Sequence, residues 1–273
     1  AIALLSGPVS ANDLSMTAVK DTLASIPGEH NYIYVRTPLG EDEEKNYDEI
    51  TFYDGLGREL DFAQSYGADR AGAIMAHHHL IEYDSLGRKE KQWLSTNTSF
   101  SYMSPEDLKG GVLWDYHDAG KRSYLQTNYE SSPLNRITEQ YGVGDAWGDH
   151  PARMEYLTNI PADSLRCSFY FIDDNDSLIR RGDYRSGELQ VTKATDEDGK
   201  PTYTFVDKQG RTLLTRLGRG NQQADTYFVF DRFGRIRYVL PPMINDEISA
   251  GNLDLYAYQY LYDSFGRCIS KKL

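Results

Sequence analysis

The chain has 273 residues, 40% hydrophobic and 26% charged, so it carries apolar material for one large core or two smaller ones and should fold. A formal net charge of -12 would repel a phosphate backbone, and the cluster Arg216 to Arg219 holds only two arginines, so nucleic acid is a poor partner and none is expected. No stretch is long and apolar enough for a membrane span, whereas 21 Tyr and 23 Gly favour β structure, Tyr on pleated surfaces and Gly in tight turns.

Residues 1–29 read differently from the rest. The opening Ala1 to Leu5 is apolar but too short for the core of a secretion signal. Met16, Val19, Leu23 and Ile26 share one helical face, Asn12 can cap it, and Pro27-Gly28 should stop it, which predicts a short N-terminal helix. From residue 30 to 273 the pattern is strand and turn. The acidic run Glu41 to Glu44 reads as a solvated loop without metal-ligand spacing.

One template recurs: aromatic-Asp-x-x-Gly-Arg. In the first third it is Tyr53-Asp54-Gly55-Leu56-Gly57-Arg58 and Tyr83-Asp84-Ser85-Leu86-Gly87-Arg88. In the last third it is Val206-Asp207-Lys208-Gln209-Gly210-Arg211, Phe230-Asp231-Arg232-Phe233-Gly234-Arg235 and Tyr262-Asp263-Ser264-Phe265-Gly266-Arg267. Asp at the first position of a type I turn accepts N–H bonds from across it, and Gly at the fourth occupies the left-handed region without steric cost. That is a hairpin with a G1 bulge. Strand formers flank each copy, so Asp54, Gly57, Arg58, Asp84, Gly87, Arg88, Asp207, Gly210, Arg211, Asp231, Gly234, Arg235, Asp263, Gly266 and Arg267 are read as structural turn residues. The Arg should reach a neighbouring carboxylate or stack on an aromatic ring.

Weaker copies extend the pattern. Asp196 to Gly199 keeps the turn, so residues 187 to 240 read as an unbroken meander. Tyr129 to Ile137 looks like a lengthened copy with Asn135 in the left-handed position, and Tyr170 to Ile179 like a further hairpin. Between these, Ser104-Pro105 opens a short helix that Gly110-Gly111 is expected to end. Ile244 to Asn252 is expected to be a linking loop that can include one helical turn.

The five copies resemble YD repeats, the building block of RHS proteins, teneurins and the shell subunits of insecticidal toxin complexes. His30 to Arg36, Ser132 to Tyr141, Gly148 to Pro151 and Tyr238 to Pro242 look similar to the N-terminal region of large RHS-type proteins of gram-negative bacteria. The resemblance covers roughly residues 30 to 273. It implies a mainly β fold of consecutive antiparallel hairpins forming a curved, twisted sheet. It also implies a fragment of a longer array, part of a secreted or cell-surface protein whose shell can enclose a toxin. Its expected partners are the remainder of the array or a C-terminal payload. Val206 and Phe230 depart from the family's Tyr, and nothing resembles a C-terminal core or toxin.

No catalytic, cofactor-binding or metal-binding residues are assigned. His77-His78-His79 places two histidines at most on one strand face and reads more simply as a polar loop before a strand at Leu80 to Tyr83. Asp173 to Asp176 lacks the Gly and Glu of a calcium loop, and Gly142 to Gly148 is no dinucleotide fingerprint. No nucleophile elbow or phosphate loop exists, so an enzyme is not expected. Cys167 and Cys268 allow one disulfide or two free thiols. Tyr116, Tyr124, Tyr129, Tyr256, Tyr258, Tyr260, Trp93, Trp114 and Trp147 could instead build a face for surface glycans or another partner, Tyr256 to Tyr262 as one strand.

Overall fold

The computed structural model describes residues 19–20, 23–24, 26–28, 30–38, 46–68, 73–218, 223–244 and 248–272. The fold is mainly β, with antiparallel pairing throughout, and the chain divides into two compact units, Ala1–His150 and Pro151–Leu273. Met16, Asn12 and the run Glu41 to Glu44 lie outside the described residues.

In the first unit, Val19, Lys20, Leu23 and Ala24 are helical, and Val19 and Ile26 are buried. The strands are β1 (Asn31–Pro38), β2 (Asn46–Tyr53), β3 (Glu59–Ala68), β4 (Ile74–Tyr83), β5 (Lys89–Trp93), β6 (Thr96–Ser99), β7 (Tyr124–Tyr129) and β8 (Ile137–Tyr141). They pair in the order β1-β2-β3-β4-β5-β7-β8, with β6 on β4. Alternation is strict in β2: Asn46, Asp48, Ile50 and Phe52 are buried, while the residues between them are half-exposed. Val19, Ile50, Phe52, Ala63, Ile74, Ala76 and Phe100 form the core of this unit.

The helix α1 (Pro105–Asp115) is capped by Ser104 and runs through Gly110-Gly111 rather than ending there. Close packing explains the correction. A Cβ on Gly111 would stand 2.6 Å from the Thr96 hydroxyl, so glycine lets the helix approach β6 while Leu108 and Val112 are buried.

The second unit contains β9 (Ala152–Thr158), β10 (Ser168–Ile172), β11 (Leu178–Asp183), β12 (Gln190–Thr195), β13 (Pro201–Val206), β14 (Thr212–Leu217), β15 (Ala224–Phe230), β16 (Ile236–Leu240), β17 (Tyr258–Tyr262) and β18 (Cys268–Lys272). Its main sheet runs β9-β12-β13-β14-β15-β16-β17-β18, and β10 and β11 form a separate two-stranded hairpin. Val191, Phe205, Leu214, Val229 and Leu240 line an apolar core closed by Cys167, Tyr170 and Leu178. The end of the linking segment opens α2 (Ala250–Tyr256), whose first turn Ser249 caps through its side chain. Tyr256 therefore ends a helix and packs against the core, and only Tyr258 to Tyr262 is strand.

Candidate functional site

The repeat turn is one geometry used again and again. In the turns beginning at Asp54, Asp84, Asp207, Asp231 and Asp263, the Asp N–H donates to the carbonyl of the Arg four residues on, and the Gly N–H donates back to the Asp carbonyl. Asp Oδ1 accepts from the N–H groups two and four residues ahead, at 2.9–3.0 Å. Each Gly stands at φ between 77° and 80°. The register shifts by one at the residue before each Asp, as a bulge requires. Asp173 to Ser177 and Asp196 to Lys200 repeat the backbone pattern. In the lengthened copy Asn135 takes φ 54°, and in the Asp173 turn Asp176 takes φ 64°.

The arginines do two things at once. Nε of Arg58, Arg88, Arg211, Arg235 and Arg267 donates to Oδ2 of its own turn aspartate at 2.7–2.8 Å. The guanidinium plane then covers the aromatic ring that precedes the next turn. Arg58 lies over Tyr83 at 4.4 Å, Arg88 over Tyr129 at 4.7 Å, Arg211 over Phe230 at 5.1 Å and Arg235 over Tyr262 at 4.9 Å. The tyrosine hydroxyl reaches past the arginine to the carbonyl of the following residue. Tyr83 donates to Glu59, Tyr129 to Lys89 and Tyr262 to Ile236, at 2.7–3.0 Å. Arg267 covers Phe265 of its own turn.

This coupling accounts for the two departures from tyrosine. Val206 follows the copy that carries Lys200 in place of Arg, and Lys200 pairs with Asp198 of its own turn. Phe230 keeps the ring that Arg211 covers and lacks only the hydroxyl. Which ring each arginine meets is a tertiary fact, but the matched Lys200–Val206 loss is visible in the sequence.

Partial burial works to raise the carboxyls of Asp54, Asp84, Asp207 and Asp231. The N–H and guanidinium bonds of the turn outweigh it and hold all four below the ordinary aspartate value. Asp263 is lowered chiefly by the Arg267 N–H bond, and Glu130 in the lengthened copy falls to about 2 beside Arg136 and Ser132.

His77, His78 and His79 all lie inside β4, correcting the loop expectation, because alternation continues from Ile74 through Leu80. His78 is buried; its Nε2 donates to the Ser99 carbonyl at 2.9 Å, and Nδ1 is hydrogen-bonded to Asp61 Oδ2 at 2.6 Å. His77 stacks on Tyr66 at 4.4 Å, and His79 faces Phe62. No group of three His, Cys, Asp or Glu residues able to hold a metal occurs among the described residues. Cys167 is buried, Cys268 is exposed, and both are free thiols. No helix among the described residues is long and apolar enough to cross a membrane. Of the aromatic candidates, Trp114 is 83% exposed, whereas Tyr124 and Tyr129 are covered by Arg122 and Arg88 and Trp93 donates to Glu82.

Comparison with known proteins adds two findings. A family described as a domain of unknown function, DUF6443, matches residues 31–158. Among solved structures, the chain is similar to one titled Crystal Structure of TcdB2-TccC3, with a TM-score of 0.53 and 14% identity. That match covers 89% of this chain and 11% of the other, so this chain spans about a ninth of its length. No curated protein matches. At this identity the likeness is one of fold alone.

Proposed function

We propose that the chain is a structural, non-enzymatic YD-repeat segment of a large RHS-type protein, forming part of the wall of a shell for toxin delivery. The observation that carries this reading is the arginine–aromatic stack that ties four of the turns to the hairpin that follows. Such a device lets a sheet extend by addition of similar steps, which is what a wall needs. The fold likeness to the TcdB2-TccC3 structure supports it. The protein would be secreted or held at the surface of a gram-negative bacterium, with the rest of its array or a C-terminal payload as partner. Electron microscopy of the complete gene product tests this. The expected image is a hollow particle with this segment in its wall; a solid particle, or a payload tethered outside, would overturn it.

A second reading is favoured by the exposure of Trp114 beside Leu113 and His117: a partner- or carbohydrate-binding surface. A glycan array with Trp114→Ala and Trp147→Ala variants separates the two, since a purely structural wall gives no glycan signal.

A further inference from the structure

The hairpin β10–β11 is set apart from the main sheet of the second unit. Ser168 N–H bonds to the Tyr227 hydroxyl, and Tyr170 packs edge-on against Tyr227. At its tip, Asp176 takes a left-handed conformation that glycine fills elsewhere and grips Arg237 with both oxygens at 2.5 and 2.6 Å. So anchored, the hairpin presents Phe169 and Phe171 side by side, centroids 5.6 Å apart and planes within 21°, with Tyr184 edge-on to Phe169. Phe169 and Tyr184 are the shared wall of two open clefts of about 400 and 410 Å³.

Every repeat-turn arginine is committed to an aspartate. Arg232 on the rim of one cleft, and Arg181 and Arg185 on the rim of the other, are exposed and make no ion pair among the described residues. Of the nearby carboxylates, Asp231 holds Arg235, Asp183 faces Arg180 and Glu188 accepts the Arg185 N–H, while Asp173 and Asp174 line a further cleft together with Arg232. The ledge therefore carries three guanidiniums without a carboxylate partner, Arg232 lying over its neighbour Phe233 at 4.9 Å, in a chain of net charge -12.

We propose that this ledge binds an acidic oligosaccharide, a uronate polymer being the simplest chemistry that fits. Parallel ring faces pack against the C–H faces of consecutive pyranoses, and guanidinium forks match carboxylates in two-point fashion. Two adjoining clefts on either side of Phe169 suit neighbouring sugar rings. The site lies wholly in the second unit and holds whether or not the shell reading does. Calorimetry with tetra-galacturonate tests it, with neutral tetra-galactose and an acidic Glu/Tyr peptide as controls. Saturable binding to the uronate is expected, weakened about tenfold or more by Phe169→Ala and about fivefold by Arg232→Ala, and reduced by added salt. Phe169→Tyr should keep affinity within about twofold while matching the wild-type melting curve, which separates lost binding from lost folding. No uronate binding by the wild type, equal binding of the neutral sugar, preference for the peptide, or indifference to both substitutions would each overturn the proposal.

Discussion

The two units build their turns alike and their buried faces differently. In the first, the inner face of β2, β3 and β4 carries Asp48, Asp61 and His78 in the fully buried layer. Asp48 is satisfied by the Tyr34 hydroxyl at 2.5 Å and by Arg36 at 2.7 and 2.9 Å, and Asp61 by His78 and the His79 N–H. Burial, joined by the bond to Asp48, pushes the Tyr34 phenol up to about 12. In the second unit the equivalent layer is mostly Val191, Phe205, Leu214, Val229 and Leu240, and Arg216 enters it only with Asp225 and two carbonyls as partners. The lesson is a division of labour. The turn fixes register locally, so the face between turns is free to be ionic or apolar, provided every polar atom is met.

The largest losses are expected at the buried centres of the two units. Asp61→Ala should cost about 3–5 kcal/mol by stranding His78, and Asp61→Leu with His78→Leu should recover much of that loss. Phe205→Ala should cost a similar ~3–5 kcal/mol through a cavity that no second polar change repairs. Chemical denaturation of each variant checks both; failure of the leucine pair to rescue would mean that the ionic face is required for the fold of the first unit.

Next come the turns that the units share. Asp84→Ala removes the shared acceptor of two N–H groups and the Arg88 partner and should cost about 1.5–3 kcal/mol, whereas Asp196→Ala, in the copy where Lys200 bonds elsewhere, should cost about 1 kcal/mol. Equal losses in melting experiments would sink the claim that the guanidinium matters. Because the folded-state carboxyls of Asp54, Asp84, Asp207, Asp231 and Asp263 are depressed, their stabilisation is complete above the unfolded value, near pH 4. It is lost as pH falls through the lower folded values. Melting temperature should therefore decline below about pH 4, and less steeply in Asp84→Asn.

The smallest effects are the most diagnostic. Phe230→Tyr restores a hydroxyl aimed at the Thr212 carbonyl and should gain about 0.5–1 kcal/mol. Lys200→Arg and Val206→Tyr together should exceed the sum of the single changes by about 0.5–1 kcal/mol in a double-mutant cycle, and additivity would show that ring and guanidinium are not coupled there.

The sequence by itself determined the turns and, through them, most of the strands. Their bonds run within five residues, so Asp, Gly and Arg at fixed spacing define them without help from the rest of the chain. Asn135 was legible for the same reason, its φ of 54° being one that asparagine tolerates. Tertiary structure decided what those local rules leave open. Thr96 turned Gly111 from a helix stop into a contact point, and three histidines that look like a polar loop became strand because the centre one meets Asp61 and Ser99 from distant strands. The ring that each arginine covers was likewise settled only when hairpins came together. A guanidinium already held by its own aspartate still has a free face, and only packing chooses what lies beneath it.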